Sequence, residues 1–348
     1  MLLKSGKDIV TGGQPYIVAE MNSSHNGSVE VAKAMIDAAK TCGCDAVKFQ
    51  SWSAESLYCR DYYKKNPIAK RMVKSFALLP EDLLDLARYC QKINIDFSST
   101  PYSKEEADFL IDDCQAPFIK IASMDIDNLP YLRYIGQKNI PIVLSTGMAT
   151  VEEIDKAVKT IETTGNHDIC ILHCVSLYPV EARLVNLRNM IMLKERFPRY
   201  AVGYSDHMIG SEAACAAVAL GAALIEKHFT LNNKKVGWDN QMATEPAEMK
   251  DLVDRCRRVY LSLGEYDRKL TPAEFEQRTK MRRSLIAARD MPAGHIIQEG
   301  DLDAKRPGSG IAVSDYFKII GQKLNCAIEK DQMLSDEYLV AGGKVPND

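Results

Sequence analysis

From Tyr16 to Glu226 the chain alternates short, mostly apolar runs with longer stretches in which apolar positions recur at helical spacing. The short runs are 16–19, 46–49, 96–98, 118–121, 142–144, 169–172, 201–203 and 224–226. They are rich in Val, Ile and Phe, as expected of strands buried on both faces. Between them, residues 28–40 put Val31, Met35, Ile36 and Ala39 on one face, with Gly43 just beyond the end. Residues 150–162 open with Thr150 and carry Glu153 three positions later, the pattern of a capping box. Eight strands alternating with helices predict an α/β fold, a (β/α)8 TIM barrel over residues 1–270. An open doubly wound sheet is the competing topology, and the lack of a G-x-G-x-x-G turn after the first strand counts against it. The strands end on Glu20, Lys48, Thr100, Lys120, Ser145, His173, Ser205 and His228. Barrel chemistry collects at the C-terminal rim, so these polar ends mark where a site is expected.

The pattern changes further on. Residues 271–283 read as a polar connector, and 284–348 as a turn-rich domain. At about 60 residues, that domain is small enough to need support from the barrel or a second subunit. Composition narrows the function classes. Hydrophobic residues make up 46% and charged residues 26% of the 348, with a formal charge of −3. A balanced charge argues against a nucleic-acid binder. No apolar run approaches a membrane span, and residues 1–8 lack the apolar core of a signal peptide, so a cytoplasmic protein without a membrane role is expected. Ten cysteines are scattered with no pair of C-x-x-C knuckles. They read as reduced, mostly buried thiols rather than disulfides or structural zinc ligands.

Two constellations carry candidate chemistry. His207 and His228 follow the seventh and eighth strands, and neighbouring strands lie roughly 5 Å apart. The two imidazoles can share a metal, with Glu20, Asp206 or Asp239 completing the site or holding water; two satisfied rim histidines are the plainer reading. Lys48 and Lys120 close apolar strands, where a solvated surface lysine is hard to explain. With Thr100, Ser123, Ser145, Ser176 and Ser205 they suit a small, highly charged phosphate ester. A Schiff base on one lysine is the rival. The Asn22–Gly27 loop has the composition of a tight turn, and Glu20, just before it, is the stronger functional candidate.

Read in order, the strand-end motifs resemble the phosphoenolpyruvate-dependent nonulosonic (sialic) acid synthases over nearly the whole chain. The resemblance is carried by Ile17-Val-Ala-Glu20, His25-Asn-Gly27, Ala46-Val-Lys-Phe-Gln50, Ser99-Thr-Pro-Tyr-Ser103, Ile119-Lys-Ile-Ala-Ser123 and Leu144-Ser-Thr-Gly-Met148. It continues through His173-Cys174, Tyr178-Pro179, Gly203-Tyr-Ser-Asp-His207 and Glu226-Lys-His228. Lys305-Arg-Pro-Gly-Ser-Gly310 looks like the antifreeze-like (SAF) domain that caps such enzymes.

The resemblance implies condensation of phosphoenolpyruvate with an open-chain N-acetylhexosamine, commonly N-acetylmannosamine, to give N-acetylneuraminate and phosphate. Variants of the family make legionaminic or pseudaminic acid from a diacetamido-trideoxyhexose, or a 9-phosphate product from a 6-phosphorylated sugar. Outside the family, a Schiff-base pyruvate lyase and a non-catalytic sugar-binding protein are the alternatives. By motif, Lys48, Thr100, Lys120, Ser123, Ser145, Ser176 and Ser205 would hold phosphoenolpyruvate. His207 and His228 would bind a divalent metal, usually Mn2+, with Mg2+ or Co2+ as options. Gln50, Asp125, Tyr178 and Asp239 would meet the sugar or metal-bound water, and Glu20, Lys48, Lys120 and Asp239 are the candidate catalytic groups. Arg306 would reach the sugar's N-acyl group from a partner's cap domain, implying a domain-swapped homodimer.

Three features depart from the family pattern: Trp238 and Ala243 in the loop around Asp239, Asp125 where many relatives carry Glu, and Ser176 where some carry Asn. The roles of His25 and His173 stay open at this level.

Overall fold

The structure, a computed structural model, describes residues 1–340; residues 341–348 of the expected cap domain lie outside the described residues. The chain divides into two compact units, Met1–Gly264 and a second one beginning at Glu265.

The first unit is the eight-stranded parallel barrel. Its strands are β1 (Tyr16–Glu20), β2 (Ala46–Ser51), β3 (Asp96–Pro101), β4 (Ile119–Ile121), β5 (Ile142–Ser145), β6 (Ile169–Cys174), β7 (Ala201–Asp206) and β8 (Leu224–His228). The hydrogen-bonded order is β3-β2-β1-β8-β7-β6-β5-β4. First and last strands pair in register from Tyr16↔Leu224 to Glu20↔His228. At the seam between β3 and β4, Ser98 Oγ donates to the Phe118 carbonyl at 2.8 Å.

Alternation along each strand decides what the barrel encloses. Ile17, Ala19, Val47, Phe49, Ile119 and Ile225 face outward into the core shared with the helices. Tyr16, Val18, Ala46, Phe118, Val143, Leu172 and Leu224 face inward, packing with Leu3 and Ile9 of the N-terminal segment. The next inward positions along the same strands are Glu20, Lys48, Lys120, Ser145, Cys174 and Glu226. The interior therefore passes from an apolar plug at one end to buried polar groups at the other.

Local signals account for the helices. Ser28 caps Val29–Cys42 by accepting from the Val31 N–H, and Gly43 ends it in the left-handed region at φ 86°. Thr150 and Glu153 form the reciprocal cap of Val151–Glu162. The β2–β3 connection departs from a simple crossover. It holds three helices, Ala54–Leu57, Arg60–Lys65 and Pro67–Phe76, before the Pro80–Ile93 helix that packs on the barrel. The extra segment has its own small core of Trp52, Ala54, Tyr63 and Val73.

The second unit starts with a helix, Pro272–Met281, where a connector was expected. Thr271-Pro-Ala-Glu274 is a full helix start: proline at the first position, and a Thr271–Glu274 capping box. Two antiparallel strands follow, β9 (Ser284–Ala287) and β10 (Leu302–Lys305). Leu285, Ala287, Met291, Ile297, Leu324 and Leu334 form part of a separate core there. No helix among the described residues is long and apolar enough to cross a membrane.

Candidate functional site

At the C-terminal end of the barrel a cavity of about 410 Å³ is lined by residues from β1–β8 and the loops that follow them. Glu20, Lys48, Gln50, Thr100, Lys120, Ser145, Ser205 and His228 reach it from strands, and Ser123, Ser176, Tyr178, His207 and Asp239 from loops. It thus gathers nearly all the residues singled out from sequence.

At its base lies a network of buried ions. Lys48 Nζ is paired with Glu20 Oε2 and lies 3.7 Å from Glu226 Oε2. Lys120 Nζ lies 3.3 Å from Glu226 Oε1. Glu226 therefore sits between the two ammoniums, and Ser205 Oγ donates to it at 2.9 Å. Lys48 donates to Thr100 Oγ1 at 3.1 Å. The second oxygen of Glu20 accepts from the Asn22 N–H at 2.9 Å and from Gln50 Nε2 at 3.1 Å. All four ions are at most 4% exposed. Burying each alone costs several kcal/mol, so the alternation of sign is what lets the cluster exist.

Their proton affinities diverge accordingly. Burial raises the Glu20 carboxyl above its ordinary range, with Lys48 pulling it back and Glu226 adding to the rise. Burial also opposes Glu226, but Lys120 and Lys48 outweigh it and hold that carboxyl down, at about 2. Burial works against the Lys48 ammonium and is overcome by Glu20 and Glu226, so its pKa rises. Burial prevails at Lys120, whose pKa falls despite Glu226. Two carboxylates with different proton affinities beside two cations is an arrangement suited to acid–base work.

Above this base stand two histidines with ring centroids 5.4 Å apart. His207 Nδ1 lies 2.7 Å from the Val175 carbonyl. A carbonyl only accepts, so Nδ1 carries the proton and Nε2 presents its lone pair. Burial pushes His207 below the ordinary imidazole range, and burial with the nearby His207 pushes His228 well below it. His228 Nδ1 is buried with no hydrogen-bond partner. Two neutral imidazoles lining one cavity fit a divalent cation. Among the described residues no group of three or more His, Cys, Asp or Glu forms a metal cluster. An ion held here would keep positions open for water or substrate. The Tyr178 ring packs 4.3 Å, centroid to centroid, from His207.

The hydroxyl side is shaped by a glycine. The Gly147 N–H donates to Ser123 Oγ at 3.0 Å and to Cys174 Sγ at 3.1 Å. A Cβ at Gly147 would collide with the hydroxyls of Ser176 and Ser123. Only glycine lets the chain pass this close to both.

Several residues fall elsewhere. Asp206 points away from the cavity, because its position on β7 has the opposite parity to Ser205. It pairs with buried Lys227 at 2.8 Å and accepts from the Met208 N–H at 2.9 Å. Lys227 also donates to the carbonyls of Met208 and Gly210, so this pair clamps the loop that carries His207. Asp125 is half-buried, accepts from Asn128 Nδ2 at 3.1 Å and does not line the cavity. Arg306 lies exposed in the second unit, just past β10. His173 faces outward, with Nε2 2.7 Å from the Val185 carbonyl and its ring stacked on Tyr204. His25 accepts from the Gly27 N–H at 3.1 Å and packs on Phe49. Neither histidine lines the cavity.

Sequence reasoning missed Glu226, and of the cavity's upper wall it singled out Trp238 but not the rings around it. Glu226 shares the inward parity of His228 two residues later, a signal present in the sequence. The wall is aromatic: Trp238 lies 5.5 Å from Trp52 and 5.8 Å from Phe76, and Trp52 lies 5.9 Å from Tyr102, between ring centroids.

The chain is 35% identical over 339 residues to the N,N'-diacetyllegionaminic acid synthase of Legionella pneumophila, covering 94% of this chain and 95% of that protein. It is 32% identical over 368 residues to the N-acetylneuraminate-9-phosphate synthase of Drosophila melanogaster, covering 96% and 99%. Among solved structures it resembles the N-acetylneuraminic acid (sialic acid) synthetase of Leptospira borgpetersenii serovar Hardjo-bovis. There the TM-score is 0.70 at 32% identity, over 76% of this chain and 90% of that one. Residues 282–340 match the SAF domain. With residues 35–268 matching its barrel, the chain belongs to the NeuB family.

Proposed function

We propose that this protein condenses phosphoenolpyruvate with the open-chain form of an N-acetylated amino sugar, giving a nonulosonic acid and phosphate; N-acetylmannosamine and N-acetylneuraminate are the pair first expected from the sequence. The observation that carries the reading is the base of the cavity. Lys48 and Lys120 converge there across Glu226, with hydroxyls of Thr100 and Ser205 alongside. Two ammoniums and a ring of donors suit an anion carrying about three charges.

In this reading the lysines and hydroxyls bind the phosphate and carboxylate and hold C3 of phosphoenolpyruvate against the aldehyde carbon. The new C3–C bond takes the enol electron pair, which leaves C2 electron-poor and the former aldehyde oxygen an alkoxide. Water then adds at C2, Glu20 accepts one of its protons as general base and passes it to the alkoxide, and the C2–O bond to phosphate breaks as the remaining C2 hydroxyl proton leaves with the phosphate, giving the ketone. The raised proton affinity of Glu20 suits that task. Glu226 stays ionised and holds both ammoniums in place. His207 and His228 would hold a divalent cation, Mn2+ in the first instance and Mg2+ or Co2+ as options; when bound, it supplies Lewis acidity to the aldehyde oxygen. Gln50, Tyr178 and Asp239 face the acceptor. Family resemblance also supports a homodimer in which Arg306 of the partner subunit meets the sugar's N-acyl group. Ten free thiols support a cytoplasmic setting.

The test is phosphate release from phosphoenolpyruvate with Mn2+ across N-acetylated mannose-type sugars, with an EDTA control. Release that needs both sugar and metal is expected. Absence of release from folded, metal-loaded protein, or borohydride trapping of pyruvate on Lys48 or Lys120, would overturn the reading.

A further inference from the structure

The segment inserted between β2 and β3 carries positive charge that the catalytic site does not use. Residues 54–76 hold six basic side chains, Arg60, Lys64, Lys65, Lys70, Arg71 and Lys74, against Glu55 and Asp61, in a chain whose formal charge is −3. Arg60, Lys64 and Lys70 gather around a cleft of about 450 Å³, together with Glu55, Tyr58 and Tyr63. Lys64 pairs with Asp61 at 2.9 Å, whereas neither Arg60 nor Lys70 forms an ion pair among the described residues. Lys70 Nζ stands 5.5 Å from the centre of the Tyr63 ring. Tyr63 is 7% exposed, and its hydroxyl is buried without a hydrogen-bond partner. Such a group is unfavourable unless something meets it, so the cleft offers a donor as well as cations to a ligand oxygen. Tyr58 lines this cleft and the catalytic cavity alike, with its ring edge-on to Tyr63 at 5.8 Å between centroids.

We propose that this cleft is a second anion site, which captures phosphoenolpyruvate from solution and passes it by way of Tyr58 to the lysines at the cavity base. The identity of the anion rests on the synthase reading above; the site itself does not. The base alone is a poor attractor. Its two ammoniums are buried and already matched by Glu20 and Glu226, so they offer little net charge to an anion still in solvent. Cations at the rim act on that anion across about one Debye length, roughly 8–10 Å at physiological salt, and raise its concentration beside the entrance. Arg306 of the partner subunit, which the synthase reading brings to the sugar, adds to this positive field rather than cancelling it.

The experiment compares the full-length, Mn2+-loaded protein with R60E/K70E, whose positions lie outside the catalytic cavity. Trp52 and Trp238 are the chain's two tryptophans and both line that cavity, so stopped-flow tryptophan fluorescence follows phosphoenolpyruvate entry without turnover. Phosphate release supplies kcat/KM for each substrate. At an ionic strength of about 0.01 M, R60E/K70E is expected to lose about tenfold in phosphoenolpyruvate association and in its kcat/KM, with kcat and the KM for the sugar unchanged. At about 1 M salt the two proteins should converge. Y63F keeps the ring and the charges and should lose about threefold in association at low salt. Thermal melts show each variant folded. A low-salt loss within about twofold in R60E/K70E, or a loss that persists undiminished at high salt, overturns the inference and leaves the synthase reading standing. An unchanged Y63F overturns the capture step, since a field without a site would not use the hydroxyl. Phosphoenolpyruvate binding without phosphate release for any sugar overturns the synthase reading and leaves the anion site standing.

Discussion

The base and the mouth of the cavity are built on different principles. The base comes from inward-facing residues at strand ends, whose backbones are locked by ladder pairing such as Glu20↔His228 and Glu20↔Lys48. Its members are ions that hold one another, so no one of them moves without leaving another unpaired. The mouth comes from loops and from the inserted helices between β2 and β3. It is held by ring packing, which tolerates substitution of similar shape. A family whose members make different nonulosonic acids gains from this separation: rigid electrostatics where bonds change, and a replaceable wall where the acceptor ends.

The sharpest way to break the comparison is at the base. K48M removes a cation and leaves Glu20 without its partner. Phosphate release should fall by about 1000-fold, whereas removing one wall ring should cost the preferred sugar only about tenfold. Equal losses at both ends would erase the distinction. Next, E20Q should lower kcat by about 100-fold or more with the KM for phosphoenolpyruvate little changed, as expected for loss of a general base. A change confined to KM would instead make Glu20 a binding residue.

A smaller effect is expected behind the sheet. K227M frees the loop 206–210 without touching the cavity, and Mn2+ affinity measured by calorimetry should drop about tenfold, the lower end for loss of a group that orients a ligand. Wild-type affinity in a folded K227M protein would separate that clamp from the metal site.

The smallest effect on turnover near neutral pH is expected at His25, outside the cavity. Burial lowers its pKa to about 4. Below the unfolded value of about 6.5, the unfolded chain takes up a proton that the folded one resists. Stability therefore falls as pH drops from about 6.5 to about 4, by about 3 kcal/mol if this group acts alone. Thermal melts across that window should flatten in H25Q.

Much of the base is legible in the amino-acid pattern. The period-two alternation that makes Val18 inward also makes Glu20 inward, and the same holds for Ala46 with Lys48 and Phe118 with Lys120. Each is a local property of an extended chain. The parity rule also separates Ser205 from Asp206 and His173 from Cys174, a use of the pattern that sets Asp206 and His173 aside. The Thr271–Glu274 helix start is present in the sequence as well, inside residues expected to be a connector.

What the sequence by itself determined was the barrel and the polar residues at its rim. Strand and helix periods are set by neighbours a few positions apart, and closing the sheet brings every strand end to one face. Only the tertiary structure decided that Glu226 bridges Lys48 and Lys120, that Lys227 holds the His207 loop, and that Trp238 meets Trp52. Those contacts join groups far apart along the chain, and their energies depend on distance and burial. Both quantities come into being only when the barrel closes.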